Sequence, residues 1–276
     1  MKQLIKIEFE RAFKNKMFYI SIIIGFVFMA LHIYKYVIPY RPSTLLDLMT
    51  QYPEKMSTVQ QPGLFMNWID VYGREYSMVF HFILPILAAL PYSMSIYLDV
   101  KKNYINNIAV RIEKKKYYMS KLITQFVVGG SVVTIPLAVS FIVTAMILPS
   151  IKPEACAGMY VLGNTSLFSY IFYFYPILFI VVLLIIDFIG FGLINCIAFV
   201  LAGIADNKFI VVLAPFILYF FDFVISSAFG KAPFSDMLTI RILRIVDLKY
   251  FIMYFILLIL LSSISYFIRS RKKDIL

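Results

Sequence analysis

Long apolar runs alternate with short polar islands along this chain. The runs fall at about 17–37, 78–98, 122–148, 169–204, 209–229 and 250–268. A helix needs about 20 mainly apolar residues to cross the hydrocarbon core, so each run predicts a spanning helix. Ahead of the first run, Leu4, Ile5, Phe9, Ala12 and Phe13 recur at helical spacing. Lys2, Lys6, Glu10, Arg11 and Lys14 take the other faces. That pattern over 1–16 predicts an interfacial helix lying along one leaflet.

The polar islands add detail. Residues 38–77 hold Pro39, Pro42, Pro53, Pro62 and the single Trp68 but no long apolar run. They predict an external loop with short helices near 45–49 and 64–72. Pro85 and Pro91 predict kinks in the second span, and Pro136 one in the third. Gly129, Gly130, Ser131 and Thr134 give the third span a small-residue face for close packing. From 169 to 205 only Asp187 and Asn195 interrupt the apolar run. That length predicts one long helix bending at Pro176, followed by a tight turn at 205–208. Residues 149–168 form a short external loop, and 230–249 a re-entrant or interfacial segment.

Composition agrees. The 276 residues are 62% hydrophobic, with a mean hydropathy of +0.86, against roughly 45–50% apolar residues in a soluble domain. The expected fold is an all-α polytopic membrane protein, a single transmembrane domain of six transmembrane helices with an N-terminal interfacial helix. A net charge of +11 could serve nucleic acid, but the placement of the charge argues for topology. With both termini cytoplasmic, the inner pieces hold five basic residues in 1–16, seven in 101–121, Lys208 and four in 269–273. That is 17 of the 26, as the positive-inside rule requires. No cleavable signal segment is evident, and Cys156 and Cys196 lack metal-ligand spacing.

Catalytic chemistry is missing from the pattern. No GxxxxGK[ST] or HExxH motif occurs, and His32 and His81 are isolated. The chain reads as no enzyme, with no metal and no cofactor of its own. Asp187 and Asp222 are the exceptions within the spans, where acids are costly and face a cavity, a partner or a relay. Asp222 either pairs with Arg241 or Arg244 or lies on a substrate path. For Asp187 a structural and a functional reading stay equally open. Phe221 and Tyr92 join them as candidates for a substrate path through the spans.

The stretches 5–28 (IKIEFERAFKNKMFYISIIIGFVF), 111–123 (RIEKKKYYMSKLI) and the insertion at 230–249 carry a resemblance to a known family. In their order along the chain they resemble the permease subunit of a bacterial ABC exporter of the type-2 class. The resemblance implies two permease chains, the same or related, paired in the cytoplasmic membrane. It also implies two ABC ATPase subunits beneath them, which bind the ATP and magnesium. Residues 101–121 would be the cytoplasmic coupling segment, with Tyr104, Ile105, Asn107, Arg111, Glu113, Lys114, Lys115 and Lys116 meeting the ATPase. Spans one, two and five would line the path at the dimer interface. The cargo would be an amphipathic or hydrophobic peptide, antibiotic or lipid-like molecule. Membrane lipid, and no nucleic acid, completes the expected partners. Two other classes fit the residues alone: a membrane sensor or immunity protein that binds without transport, and a gradient-driven transporter using Asp187 and Asp222.

Overall fold

A computed structural model describes residues 1–41, 63–68, 75–102, 112–153, 168–202, 207–228 and 248–271, with 46, 47, 50, 104 and 105 as separate positions. Among them all regular secondary structure is helical. Its helices are α1 (Lys2–Phe13), α2 (Lys16–Tyr36), α3 (Leu64–Trp68), α4 (Glu75–Ala89) and α5 (Ser93–Lys101). There follow α6 (Lys114–Ile147), α7 (Ser169–Phe174), α8 (Pro176–Leu201), α9 (Lys208–Ala228) and α10 (Leu248–Arg271).

Among the described residues, five stretches are long and apolar enough to cross a membrane: Lys16–Tyr40, Val79–Asp99, Lys114–Ile147, Pro176–Phe199 and Lys208–Ile225. The sixth expected span, 250–268, lies within α10, a helix of 24 residues, in which Ile252–Ile264 is a described apolar stretch. Within it Ser262 and Ser263 both turn their hydroxyls onto the Ile259 carbonyl.

The longest helix, α6, is the post around which the others stand. It packs most extensively on α8 and also meets α1, α2, α4 and α10. Close approach depends on glycine. A Cβ on Gly130 would sit 2.6 Å from the Phe188 carbonyl oxygen, and one on Gly192 would sit 2.8 Å from that of Phe126. Gly25 of α2 receives the Pro136 ring, whose Cγ would lie 2.7 Å from an added Cβ. Without a hydrophobic gradient inside lipid, such contact supplies the dispersion energy that holds helices together.

The second span is broken rather than gently kinked. α4 stops at Ala89, and α5 restarts at Ser93. Pro91 has no N–H to continue the helix. Its freed carbonyl accepts from Asn15 Nδ2 at 2.6 Å, while Asn15 Oδ1 caps α2 by accepting from Met17 N. One side chain thereby ties the α1–α2 corner to the break. The fourth span bends at the expected place, where α7 ends at Phe174 and α8 begins at Pro176.

The third span differs from its expected bounds. It was expected at 122–148, with 101–121 a separate segment, yet α6 begins at Lys114. Residues 114–121 contain neither glycine nor proline, so nothing stops the spanning helix from continuing into them. At the opposite end of the bundle, α3 forms a small cap. Its Trp68 Nε1 donates to Ser140 Oγ at 3.0 Å, and Leu64 N donates to the Pro149 carbonyl at 3.0 Å. Of the two short helices expected in the 38–77 loop, this is the one within the described residues; 45–49 lies largely outside them.

Candidate functional site

The most polar interior lies where α1, the α4–α5 break, α5 and the first turns of α6 converge. Glu8 is on the inner stripe of α1, one turn from the fully buried Ala12. Asp99 comes from the last turn of α5, and Lys121 from the second turn of α6. These three are 3%, 5% and 0% exposed. Lys121 Nζ lies 2.9 Å from Glu8 Oε2 and 2.6 Å from Asp99 Oδ2, and donates to Ser95 Oγ at 2.7 Å. Arg11 closes the cluster from outside. Its guanidinium is 3.2 Å from Glu8 Oε1 and 3.0 Å from Asp99 Oδ1.

Two tyrosines complete it. Tyr92 Oη donates to Glu8 Oε2 at 2.5 Å, and Tyr117 Oη donates to Asp99 Oδ2 at 2.6 Å. The Lys121 ammonium also lies 5.1 Å and 5.6 Å from the ring centroids of Tyr92 and Tyr117. Formal charges cancel: two carboxylates face one guanidinium and one ammonium. Half-burial opposes the charge on Arg11. The hydrogen bond to Asp99 and the negative charges of Glu8 and Asp99 outweigh it and hold its pKa above the ordinary value. Helix α1 is therefore bolted to α5 and α6 by ion pairs.

Just deeper lies a neutral polar layer. Gln125 Nε2 donates to Ser93 Oγ at 2.8 Å and to the Asn195 carbonyl at 2.9 Å, while Asn195 Nδ2 donates back to the Gln125 carbonyl at 2.9 Å. This reciprocal pair fixes the register of α6 against α8. Gly129 leaves room for it, since an added Cβ there would meet the Asn195 amide at 2.6 Å.

Of the expected coupling residues, Tyr104 and Ile105 lie beside the ionic cluster. Arg11 lies over the Tyr104 ring, 5.5 Å from its centroid. Ile105 is buried with Ile96, Tyr97, Tyr117 and Phe199. Asn107 and Arg111 lie outside the described residues. Glu113 is the N-cap position of α6 and pairs with Lys116 at 3.1 Å on the surface. Lys115 and Lys116 are exposed, and Lys114 is half-buried. Three lysines in a first turn oppose the helix dipole, each at a cost of about 0.3–1 kcal/mol.

The substrate-path candidates scatter. Tyr92 belongs to the ionic cluster. Phe221, 57% exposed, points out of the bundle from α9. Asp187 is buried near the middle of α8 and makes no hydrogen bond or ion pair among the described residues. Asp222 stands in the wall of a cavity of about 340 Å³ between α8, α9 and α10, and Asp187 is not part of that wall. Arg241 and Arg244, the expected partners of Asp222, lie outside the described residues. No cluster of three metal-ligating His, Cys, Asp or Glu side chains occurs among the described residues.

Glu8, Arg11, Lys121, Tyr117 and Gln125 were missed as site residues. Lys121 and Gln125 did carry a signal, as polar groups at and just inside the start of an apolar run. Glu8 carried one too, lying on the stripe of Ile5 and Ala12. No protein-family model, curated protein or solved structure matches the chain.

Proposed function

We propose that the chain is the transmembrane permease subunit of an ATP-driven exporter, powered by a separate ATPase that docks on the basic segment 101–116. The cargo is amphipathic or hydrophobic. The observation that carries this reading is the bolted junction. The basic segment joins α5 to α6, and both helices are ion-paired through Asp99 and Lys121 to the interfacial helix. Force applied to the segment would move α1, the second span and the third span as one body. The three lysines opening α6, costly to their own helix, suit an acidic docking surface.

A second feature supports the same reading. α4 stands between α2 and α9, with Phe82 edge-on to Phe216 at 5.1 Å. Spans one, two and five thus adjoin and expose apolar side chains such as Ile23, Val79 and Leu213. That is the face a second permease chain would meet.

The reading expects an ABC ATPase encoded beside this chain, and the test is co-purification with it. Lys114, Lys115 and Lys116 changed together to Glu should lose the ATPase while the membrane subunit stays folded. Undiminished binding would sink the docking surface. The lone buried Asp187 favours one competing reading, a gradient-driven carrier. In that case Asp187→Asn would abolish transport with no ATPase involved.

A further inference from the structure

Three acids are buried among the described residues, Glu8, Asp99 and Asp187. Two of them face cations. Glu8 and Asp99 each lie within 3.2 Å of both Arg11 and Lys121. Asp187 differs. No hydrogen bond or ion pair reaches its carboxyl among the described residues, and burial is the only influence acting on it there. The helices packed against α8 do carry ionisable groups: His81 on α4, Asp99 on α5, Lys121 on α6, Tyr173 on α7, Asp222 on α9 and Tyr254 on α10. None of them acts on Asp187.

Position sharpens the contrast. Asp187 follows Pro176 by about 17 Å along α8 and precedes Leu201 by about 21 Å, at 1.5 Å per residue. It therefore stands close to the middle of a span, with Leu183 and Phe191 buried one turn away on either side. A bare carboxylate at that depth has no water, no donor and no counter-ion to offset the loss of hydration. Two occupants could remove the charge, a metal ion or a proton. A metal ion needs several oxygen ligands, and no group of three metal-ligating side chains occurs among the described residues. A proton needs only the carboxyl itself.

We propose that Asp187 is a proton-binding site in the middle of the bundle, occupied at neutral pH, so that this side chain is a carboxylic acid while Glu8 and Asp99 are carboxylates. The proposal goes beyond the exporter reading and does not rest on it, since binding the proton needs neither an ATPase nor transport.

The test is infrared spectroscopy of the purified full-length chain in neutral detergent. A protonated carboxyl absorbs above the amide band, apart from ionised acids, and its band shifts when aspartate with a heavy-carbon carboxyl is incorporated. The unaltered protein should show such a band at neutral pH, well above the ordinary carboxylate range. The band should respond to labelled aspartate. Asp187→Asn should lose it. Asp187→Glu should keep a band that no longer responds to labelled aspartate, and Asp222→Asn should leave the original band in place. Size-exclusion profiles show which variants remain folded. Absence of an aspartate-sensitive band from the unaltered protein, which needs no variant, would overturn the proposal. So would a band that survives in a folded Asp187→Asn or disappears in a folded Asp222→Asn. The exporter reading fails separately, if no ATPase associates with the chain.

Discussion

Replacing Lys121 by Met tests the ionic cluster at its centre. Methionine is of similar length and apolar, so it keeps most of the packing and removes only the charge. Lys121 is 0% exposed and touches Glu8 at 2.9 Å and Asp99 at 2.6 Å. Without it, two carboxylates share Arg11, and one negative charge is left uncompensated in the interior. Breaking a buried pair from one side costs about 3–5 kcal/mol. At about 2–4 °C per kcal/mol for a chain of this size class, the Tm in detergent should fall by on the order of 10 °C. Arg11→Gln is the internal control. The Arg11 side chain is 39% exposed, so water screens part of what is lost, and the fall should be clearly smaller. The double variant Lys121→Met with Glu8→Gln restores neutrality and should recover a good part of the loss, a coupling that a thermodynamic cycle measures. Thermal unfolding followed by size exclusion or fluorescence supplies all four corners. If Lys121→Met costs no more than Arg11→Gln, or if the double variant is merely the sum of the singles, the cluster does not hold α1 to the spans.

Three further outcomes follow from the packing. Gly130→Ala would place a methyl 2.6 Å from the Phe188 carbonyl, where backbone must move, so it should destabilise by about 1–3 kcal/mol in the same unfolding assay. Ala substitution on the exposed face of α2, for instance Ile23→Ala, should leave the monomer's Tm nearly unchanged. Asn195→Ala removes the Nδ2 donation to the Gln125 carbonyl and the Oδ1 that accepts from Ser93 and Gln125, while the bond from Gln125 Nε2 to the backbone carbonyl at 195 stays. Interhelical hydrogen bonds in membranes are worth about 0.6 kcal/mol on average, so its Tm should fall far less than that of Lys121→Met.

The apolar skeleton was legible because lipid imposes its own length on a span. Runs such as 17–37 and 209–229 could hardly be anything but helices, and Pro91 and Pro176 announced their break and bend. The start of α6 was not legible in the same way. Lys114 to Lys121 look like a soluble island by charge, but they are good helix formers with no breaker among them. The span continues through them and folds Lys121 inward against acids. The ionic cluster was hidden for a different reason. Its members come from α1, α5 and α6, so Glu8 and Tyr92 are 84 residues apart in the chain. Glu8 and Arg11 also resemble the ordinary polar face of an interfacial helix. Asp99 was visible only as a lone acid before the basic segment. Its bonds to Arg11, Lys121 and Tyr117 follow from tertiary packing, which periodicity does not encode. Asp222 was legible as an intramembrane acid, but the cavity beside it forms only where α8, α9 and α10 come together.

If a separate motor drives this chain through the segment between α5 and α6, ATP hydrolysis in proteoliposomes that hold a candidate partner ATPase, with or without this chain, reports it. The chain should change the hydrolysis rate severalfold, and the form with Lys114, Lys115 and Lys116 changed to Glu should not. A rate indifferent to the presence of the chain would contradict it.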